Sequence, residues 1–171
     1  MGDRMSAFTI RRARAEDAAA VGAVFDAAVA QGWDYLGGLE REPLFSAREW
    51  DDLVAAHLSG DDVLLVAVDS SGAILGYCAV HSGDGEMYLL FVDPRHGGRG
   101  IGRALLTAGH DALRSAGCSD AFLFVHEANA RALAVYAAAG YRQDGATRTS
   151  EFRGRPIREV RLVLALGREA P

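Results

Sequence analysis

The segment from Val92 to Leu106, VDPRHGGRGIGRALL, combines four glycines with three arginines and then continues as an aliphatic helical pattern. Glycine lets the backbone come close to a ligand, and the free N–H groups and dipole of a helix N-terminus favour an anion. A glycine cluster between a strand and a helix therefore predicts a phosphate-binding loop.

Two common phosphate-binding patterns fail at this loop. The pattern GxxxxGK[ST] nearly fits from Gly97, but Arg103 and Ala104 replace its lysine and its magnesium-binding hydroxyl. The dinucleotide pattern GxGxxG fails at its last position in either register, where Arg103 or Leu105 stands. The remaining interpretation is a pyrophosphate seated on successive amides near Gly100.

The surrounding elements must place this loop between a strand and a helix. Alternation of apolar and polar residues predicts the strands, and helical spacing with capping residues predicts the helices. The first half of the chain is predicted to form a strand at 8–13, helices at 15–30 and 46–60, and a hairpin of VLLVAVD and AILGYCAVH. The second half is predicted to form a strand at 86–92, a helix from about 100 to 117, the strand AFLFVH, a helix at 129–140 and late strands at about 141–149 and 158–166. Mostly antiparallel strands with one βαβ unit predict an α+β (mixed α/β) fold. We expect a single domain over residues 1–171, with its core at about 6–167.

Composition narrows the class of protein. A formal net charge of −5 argues against a chain that coats nucleic acid. No apolar run approaches the roughly 20 residues of a membrane span, and the start lacks the apolar core of a signal peptide, so we expect a cytoplasmic protein with no membrane partner. Cys78 and Cys118 form no metal-binding or disulfide pattern and are predicted to be buried free thiols.

Two motifs resemble those of the GCN5-related N-acetyltransferase (GNAT) superfamily. LLFVDPRHGGRGIGRALL resembles motif A, in which the loop R/Q-x-x-G-x-G/A has its glycine positions at Gly100 and Gly102; Gly97 stands where the family usually has arginine or glutamine. NARALAVYAAAGY resembles motif B, N-x-x-A-x-x-x-Y-x-x-x-G-[FY], position for position. The first strand and helix are also typical, so the resemblance covers nearly the whole chain and is weakest at 31–45.

The resemblance implies a fold and a cofactor. The fold is a mostly antiparallel sheet of about seven strands, splayed between strands 4 and 5 and flanked by about four helices. The cofactor is acetyl-CoA as co-substrate, its pantetheine arm lying in the splay and its pyrophosphate on the glycine loop. The implied contacts are Leu90, Phe91, Val92, Gly97, Gly98, Arg99, Gly100, Ile101, Gly102, Arg103, Asn129 and Tyr136. Arg95, Arg99 and Arg103 are either phosphate ligands or solvated surface arginines.

The implied chemistry is acetyl transfer to a primary amine. An alkyl amine is mostly protonated at pH 7, so a base or a water relay must take its proton. Glu86 has a register similar to that of the family's catalytic glutamate, although it could equally be a surface carboxylate. His81, His96 and His126 are rival bases. Tyr136 is the predicted acid for the departing thiolate, with a core-packing tyrosine as the alternative.

Several questions stay open at the level of sequence. Asn129 is an N-cap by its position, a cofactor contact by resemblance, or both. Trp33, Tyr35 and Phe45 either line the acceptor site or fold back into the core. The chain is predicted to be an N-acetyltransferase working by direct attack in a ternary complex without a metal; a longer-chain acyltransferase and a non-catalytic acyl-CoA sensor are the alternatives. The acceptor is a small-molecule amine or a protein amine, and a homodimer is left open because dimers are common in the family.

Overall fold

The structure is a computed structural model that describes residues 8–32, 44–152 and 154–167. Its seven strands are β1 (Phe8–Arg12), β2 (Val63–Asp69), β3 (Ile74–His81), β4 (Glu86–Val92), β5 (Asp120–His126), β6 (Arg142–Phe152) and β7 (Arg155–Ala165). Its α-helices are α1 (Ala18–Gly32), α2 (Ala47–Ser59), α3 (Ile101–Ser115) and α4 (Ala130–Ala138). Within the described ranges, every helix is too short or too polar to cross a membrane.

The strands form one sheet in the order β1-β2-β3-β4-β5-β7-β6. All neighbouring strands run antiparallel except β4 and β5, which are parallel. Along the described strands, β4 and β5 share a single register pair, Glu86 with Phe122, whereas β5 and β7 pair over their whole length. The two parallel strands therefore separate beyond Glu86, which confirms the predicted fold class and its splay.

Helices cover the two faces of the sheet unequally. One apolar cluster joins α3 and α4 to alternate residues of β1–β5 and β7, including Leu105, Leu123 and Leu162. The other joins α1 and α2 to β2, β3 and β4, including Val54 and Tyr77. Because this second cluster takes no residue from β5, β6 or β7, the described helices leave those strands uncovered on the α1/α2 face.

The predicted first helix begins later than its sequence suggests. Residues Ala15–Asp17 form a 3₁₀ turn, and α1 starts at Ala18 and continues to Gly32, two residues beyond the predicted end. The carboxylate of Asp17 explains the turn, because it accepts a 2.7 Å hydrogen bond from the Arg14 amide and pairs with the Arg11 guanidinium. By contrast, the capping box of Ser46 and Glu49 is present as predicted at the start of α2.

Two other predictions need correction. The late strands are longer than predicted, since Phe152 pairs with Arg155 and the strands are joined by residues 153–154 alone. Gly154 has φ of +73°, the left-handed conformation that a tight hairpin requires. Cys78 is buried as predicted, and burial raises its pKa to about 12, but Cys118 is half-exposed. Cys118 lies in the turn before β5, where it packs against the apolar cluster beneath α3 and α4 while remaining partly exposed.

Candidate active site

A cavity of about 360 Å³ lies where β4 ends and α3 begins. Eleven of the residues predicted to bind the cofactor line it: Leu90, Phe91, Val92, Gly97, Gly98, Gly100, Ile101, Gly102, Arg103, Asn129 and Tyr136. The end of β4, the glycine loop and the first turns of α3 and α4 thus converge on one space. Since β5 turns away after Phe122, this space opens onto the part of the β4 edge that none of the described strands covers.

The glycine loop presents amides to this cavity. Gly98 and Gly100 have φ of +75° and +80°, a conformation that side chains with a Cβ rarely adopt. Gly100 is the N-cap of α3, and its carbonyl accepts from the Ala104 amide at 3.0 Å. The earlier amides of a helix have no intrahelical acceptor, so those of Ile101 and Gly102 offer a site of positive potential to an anion.

Gly97 differs from its neighbours in this loop. Its amide donates to the Pro94 carbonyl at 3.1 Å, closing a 3₁₀ turn over Pro94–His96. The amide at the position where the family usually has arginine or glutamine is therefore already engaged within the chain. Any anion in the cavity has to depend on the amides that follow it.

The three arginines of the loop have different environments. Arg95 is paired with the buried Asp93 carboxylate, and Arg99 Nη1 lies 3.0 Å from His96 Nδ1. The hydrogen bonds from the Arg95 side chain are the main cause that lowers the pKa of the Asp93 carboxyl, and burial opposes this effect. Arg103 lines the cavity, whereas Arg95 and Arg99 do not. Arg103 is thus the loop arginine best placed to meet a phosphate.

Asn129 and Tyr136 reach the cavity from α4. The Oδ1 atom of Asn129 accepts from the Ala132 amide at 3.0 Å, so the residue is an N-cap and also lines the cavity. The Tyr136 ring packs edge-on against Tyr141, 5.7 Å between centroids, while the residue contributes to the cavity wall. Tyr136 therefore packs against a core residue and also lines the cavity, so both of the roles that the sequence left open fit its position.

The phenol of Tyr136 keeps its proton over the neutral range. Burial is the main cause that raises its pKa above the ordinary value, with the nearby Cys78 as a smaller cause. No hydrogen bond joins the Tyr136 hydroxyl to another residue within the described ranges. The hydroxyl is thus free to donate to a group bound in the cavity.

Glu86 lies apart from the cavity wall, at the point where β4 and β5 still pair. Its carboxylate is 15% exposed and lies 3.4 Å from Arg148 Nη1, and its amide donates to the Asp84 carboxylate at 3.0 Å. Leu90, the first cavity residue on β4, is four residues further along the strand, a distance of roughly 13 Å. Glu86 is therefore separated from the cavity along the strand.

The rival histidines have other contacts. His81 Nδ1 lies 2.7 Å from Asp62, and its ring stacks on Tyr88 with 3.9 Å between centroids. His126 Nε2 lies 3.7 Å from Glu159, and burial, partly offset by this carboxylate, lowers the pKa of His126. His96 lines the cavity. The structure thus brings one of the three histidines to the cavity itself.

The structure describes only one of the three aromatic residues that were predicted to line the acceptor site or fold into the core. Trp33 and Tyr35 lie outside the described residues. Phe45 packs against Phe25 and Trp50, with ring centroids 5.5 and 5.4 Å apart. These contacts favour the core alternative for Phe45, although the residue remains 41% exposed.

Sequence reasoning missed two parts of the cavity wall. One is the end of α1, with Ala28, Gln31 and Gly32; the other is the face of α4 that carries Arg131 and Val135. Arg131 follows the Asn129 cap by two residues, which would have placed it on the first turn of α4 beside the loop. The contribution of α1 has no local signal, because it depends on how that helix crosses the sheet.

A splayed mixed sheet with a glycine loop and an open helix N-terminus beside the splay defines the class of acyl-CoA-dependent transferases. The model of the acetyltransferase (GNAT) family matches residues 29–141, and the chain belongs to this family. The match confirms the predicted family. Within the described ranges, no group of three or more His, Cys, Asp or Glu side chains is arranged to hold a metal ion.

Relatives and solved structures agree with this assignment. A mycothiol acetyltransferase of Clavibacter michiganensis is 42% identical over 94 residues, 54% of this chain and 31% of that protein. The match thus spans under a third of that relative.

The yncA protein of Salmonella typhimurium, solved with its cofactor acetyl-CoA, has a TM-score of 0.73 at 21% identity, covering 96% of this chain and 97% of that one. The PaiA N-acetyltransferase of Thermoplasma acidophilum, solved with coenzyme A, has a TM-score of 0.68 at 18% identity, covering 89% and 97%. At these identities the two structures show a shared fold.

Proposed function

We propose that this chain transfers the acetyl group of acetyl-CoA to a primary amine by direct attack in a ternary complex. The observation that carries the proposal is the cavity, which joins an uncovered strand edge, a helix N-terminus and a phenol. These are the three features that a coenzyme A thioester needs: partners for its amide-bearing arm, a seat for its pyrophosphate and a donor for its leaving sulfur.

The pyrophosphate is assigned to the start of α3. The amides of Ile101, Gly102 and Arg103 and the helix dipole favour its negative charge, and the residues Arg103 and Arg131 line the same cavity. Gly100 gives the backbone the turn that exposes these amides. The amide of Gly98 is a further donor in the proposed seat, and Asn129 borders it.

The pantetheine arm is assigned to the edge of β4. Leu90, Phe91 and Val92 pair with β3 on one side, and the described part of the chain places no strand against their other side. Backbone groups on that side need partners, and the arm's own amides supply them as an additional strand would. A backbone amide here also polarises the thioester carbonyl as negative charge develops on its oxygen.

The chemistry then divides between two side chains. The amine nitrogen attacks the thioester carbon, a C–N bond forms, the C–S bond breaks, and Tyr136 gives its proton to the coenzyme A thiolate. Glu86 accepts the proton that the amine loses. Because Glu86 is separated from Leu90 by roughly 13 Å of strand, this proton passes through water rather than by direct contact.

A small-molecule amine is the acceptor class we propose first, because curated relatives of this chain are named mycothiol acetyltransferases. The test is a panel of amines and protein N-termini, including the amine on which a mycothiol acetyltransferase acts, with release of the coenzyme A thiol as the signal. Turnover with acetyl-CoA and a small amine supports the proposal. Binding of acetyl-CoA without turnover across the panel would support a non-catalytic acyl-CoA sensor. Faster turnover with a longer thioester would support a longer-chain acyltransferase.

A further inference from the structure

The sheet face that α1 and α2 leave uncovered carries a row of ionisable side chains across three strands. His126 of β5 is the register partner of Glu159 of β7, which is in turn the partner of Arg148 of β6. Cross-strand partners point to the same face of a sheet. Glu86 of β4 belongs to the same face, because its register partner Phe122 lies four residues before His126 on β5.

Arg148 connects this row to Glu86. Its Nε atom donates to Glu159 Oε2 at 2.6 Å, and its Nη1 atom lies 3.4 Å from Glu86 Oε1. Its Cζ atom lies 3.9 Å above the ring of Phe124 on β5. The side chain therefore starts on β6, passes over β7 and β5 and reaches the first residue of β4. Glu159, 9% exposed, and the Phe124 ring hold the guanidinium in place.

We propose that Arg148 is a positioning residue for acetyl transfer: it fixes the Glu86 carboxylate at the closed end of the splay, where that carboxylate takes the acceptor's proton through water. This inference rests on the proposed function, in which Glu86 is the base. Along the described strands, pairing between β4 and β5 ends at Glu86, so a restraint on this side chain has to come from side-chain contacts. Arg148 supplies that restraint from the far side of β5.

The other charged groups around Glu86 already have partners. His81, its neighbour on β3, contacts Asp62, and Asp84 of the preceding turn accepts from the Glu86 amide. On β5, His126 is uncharged at neutral pH because burial lowers its pKa. Of the cations described here, Arg148 is the one in contact with the Glu86 carboxylate.

The experiment compares Arg148→Gln and Arg148→Lys with the unmodified chain, measuring kcat and the KM of each substrate. We expect Arg148→Gln to lower kcat by about 10- to 100-fold, the usual effect of displacing a catalytic group by about 1 Å, with the KM of acetyl-CoA unchanged. Lysine keeps the charge but cannot bridge two carboxylates with a planar fork, so it should restore only part of kcat.

A double-mutant cycle with Glu86 separates positioning from general damage. If Arg148 acts through Glu86, adding Arg148→Gln to Glu86→Gln should lower the residual kcat no further. Arg161→Gln is the matched control, because Arg161 lies on the same face but pairs with Asp144. That control should leave kcat unchanged.

Two results would overturn the inference alone. One is an equal loss of kcat from Arg148→Gln in the presence and in the absence of Glu86. The other is full kcat in folded Arg148→Gln, with only the melting temperature lowered. If the unmodified chain binds no acetyl-CoA and turns over no amine, the proposed function fails and this inference fails with it.

Discussion

Glu86 and Phe122 form the one register pair that joins β4 to β5 along their described lengths. β4 begins at this pair, and beyond it the two strands separate. The predicted base stands at the closed end, and the cavity with the predicted acid lies towards the open end. The separation of these two ends determines how a proton has to travel.

Acetyl-CoA should raise the melting temperature, because a ligand bound only by the folded chain stabilises it by mass action, about 2.7 kcal/mol at 100 times Kd. Gly100→Asp should abolish this shift by placing a carboxylate beside the α3 amides. Gly145→Asp is the matched control, since Gly145 also has a positive φ, +89°, with open space around it, but lies on β6. An unchanged shift in Gly100→Asp would place the phosphates elsewhere.

Tyr136→Phe keeps the ring and its packing but removes the proton that the thiolate needs. Turnover should fall at least about 100-fold, or roughly 2.7 kcal/mol of transition-state stabilisation, with acetyl-CoA affinity little changed. Because burial raises the pKa of Tyr136, its ionisation should not limit activity below about pH 10.

Tyr141→Phe is the control for the loss of a phenol. Its hydroxyl lies 2.8 Å from the buried His110 Nε2, so its removal should lower stability and leave kcat nearly unchanged. Full turnover in Tyr136→Phe, measured while the variant is folded, would make Tyr136 a core residue and water the acid.

Glu86→Gln should lower turnover while acetyl-CoA still raises the melting temperature, because Glu86 lies outside the cavity wall. The acidic limb of the rate profile should disappear with the carboxylate. The measurement is kcat/KM for the amine between about pH 5 and 9. A profile with the same acidic limb would leave Glu86 as a surface carboxylate and return the histidines to consideration.

The Arg11–Asp17 pair should make stability depend on pH. Hydrogen bonds from the Arg11 side chain are the largest cause that lowers the pKa of Asp17, helped by the Arg14 amide and opposed by burial. A carboxyl with a lowered folded-state pKa stabilises the fold above its unfolded value of about 3.9 and loses that contribution as pH falls further.

Asp17→Asn should therefore cost about 2 kcal/mol of unfolding free energy at pH 7 and less below about pH 4. Urea unfolding at both pH values measures the difference. Asp111→Asn is a control, because the Asp111 carboxylate is 63% exposed in its pair with Arg114. Equal effects of the Asp17 change at the two pH values would contradict the assignment.

Local chemistry made the loop and most of the cavity predictable. Gly98, Gly100, Asn129 and Tyr136 act through turns, caps and helix starts that involve residues a few positions apart. The motifs therefore predict these positions without any knowledge of strand register.

The contacts of Arg148 with Glu86 and Glu159 could not be predicted in this way. Its contact with Glu86 joins residues 62 positions apart, and it depends on β7 lying between β5 and β6 and on the irregular register between Gln143 and Thr147. Alternating charged and apolar residues along β7 indicate two faces, but they do not reveal which strands lie on either side.

The splay also divides the sheet mechanically. Strands β1–β4 form one hydrogen-bonded block and β5, β7 and β6 form another, joined by the pair at Glu86 and by the apolar cluster beneath α3 and α4. Force applied across the sheet should therefore concentrate on this seam, and the two blocks should exchange their amide hydrogens as separate cooperative units. A molecule bound across the gap would contact both blocks and so reduce their motion relative to each other.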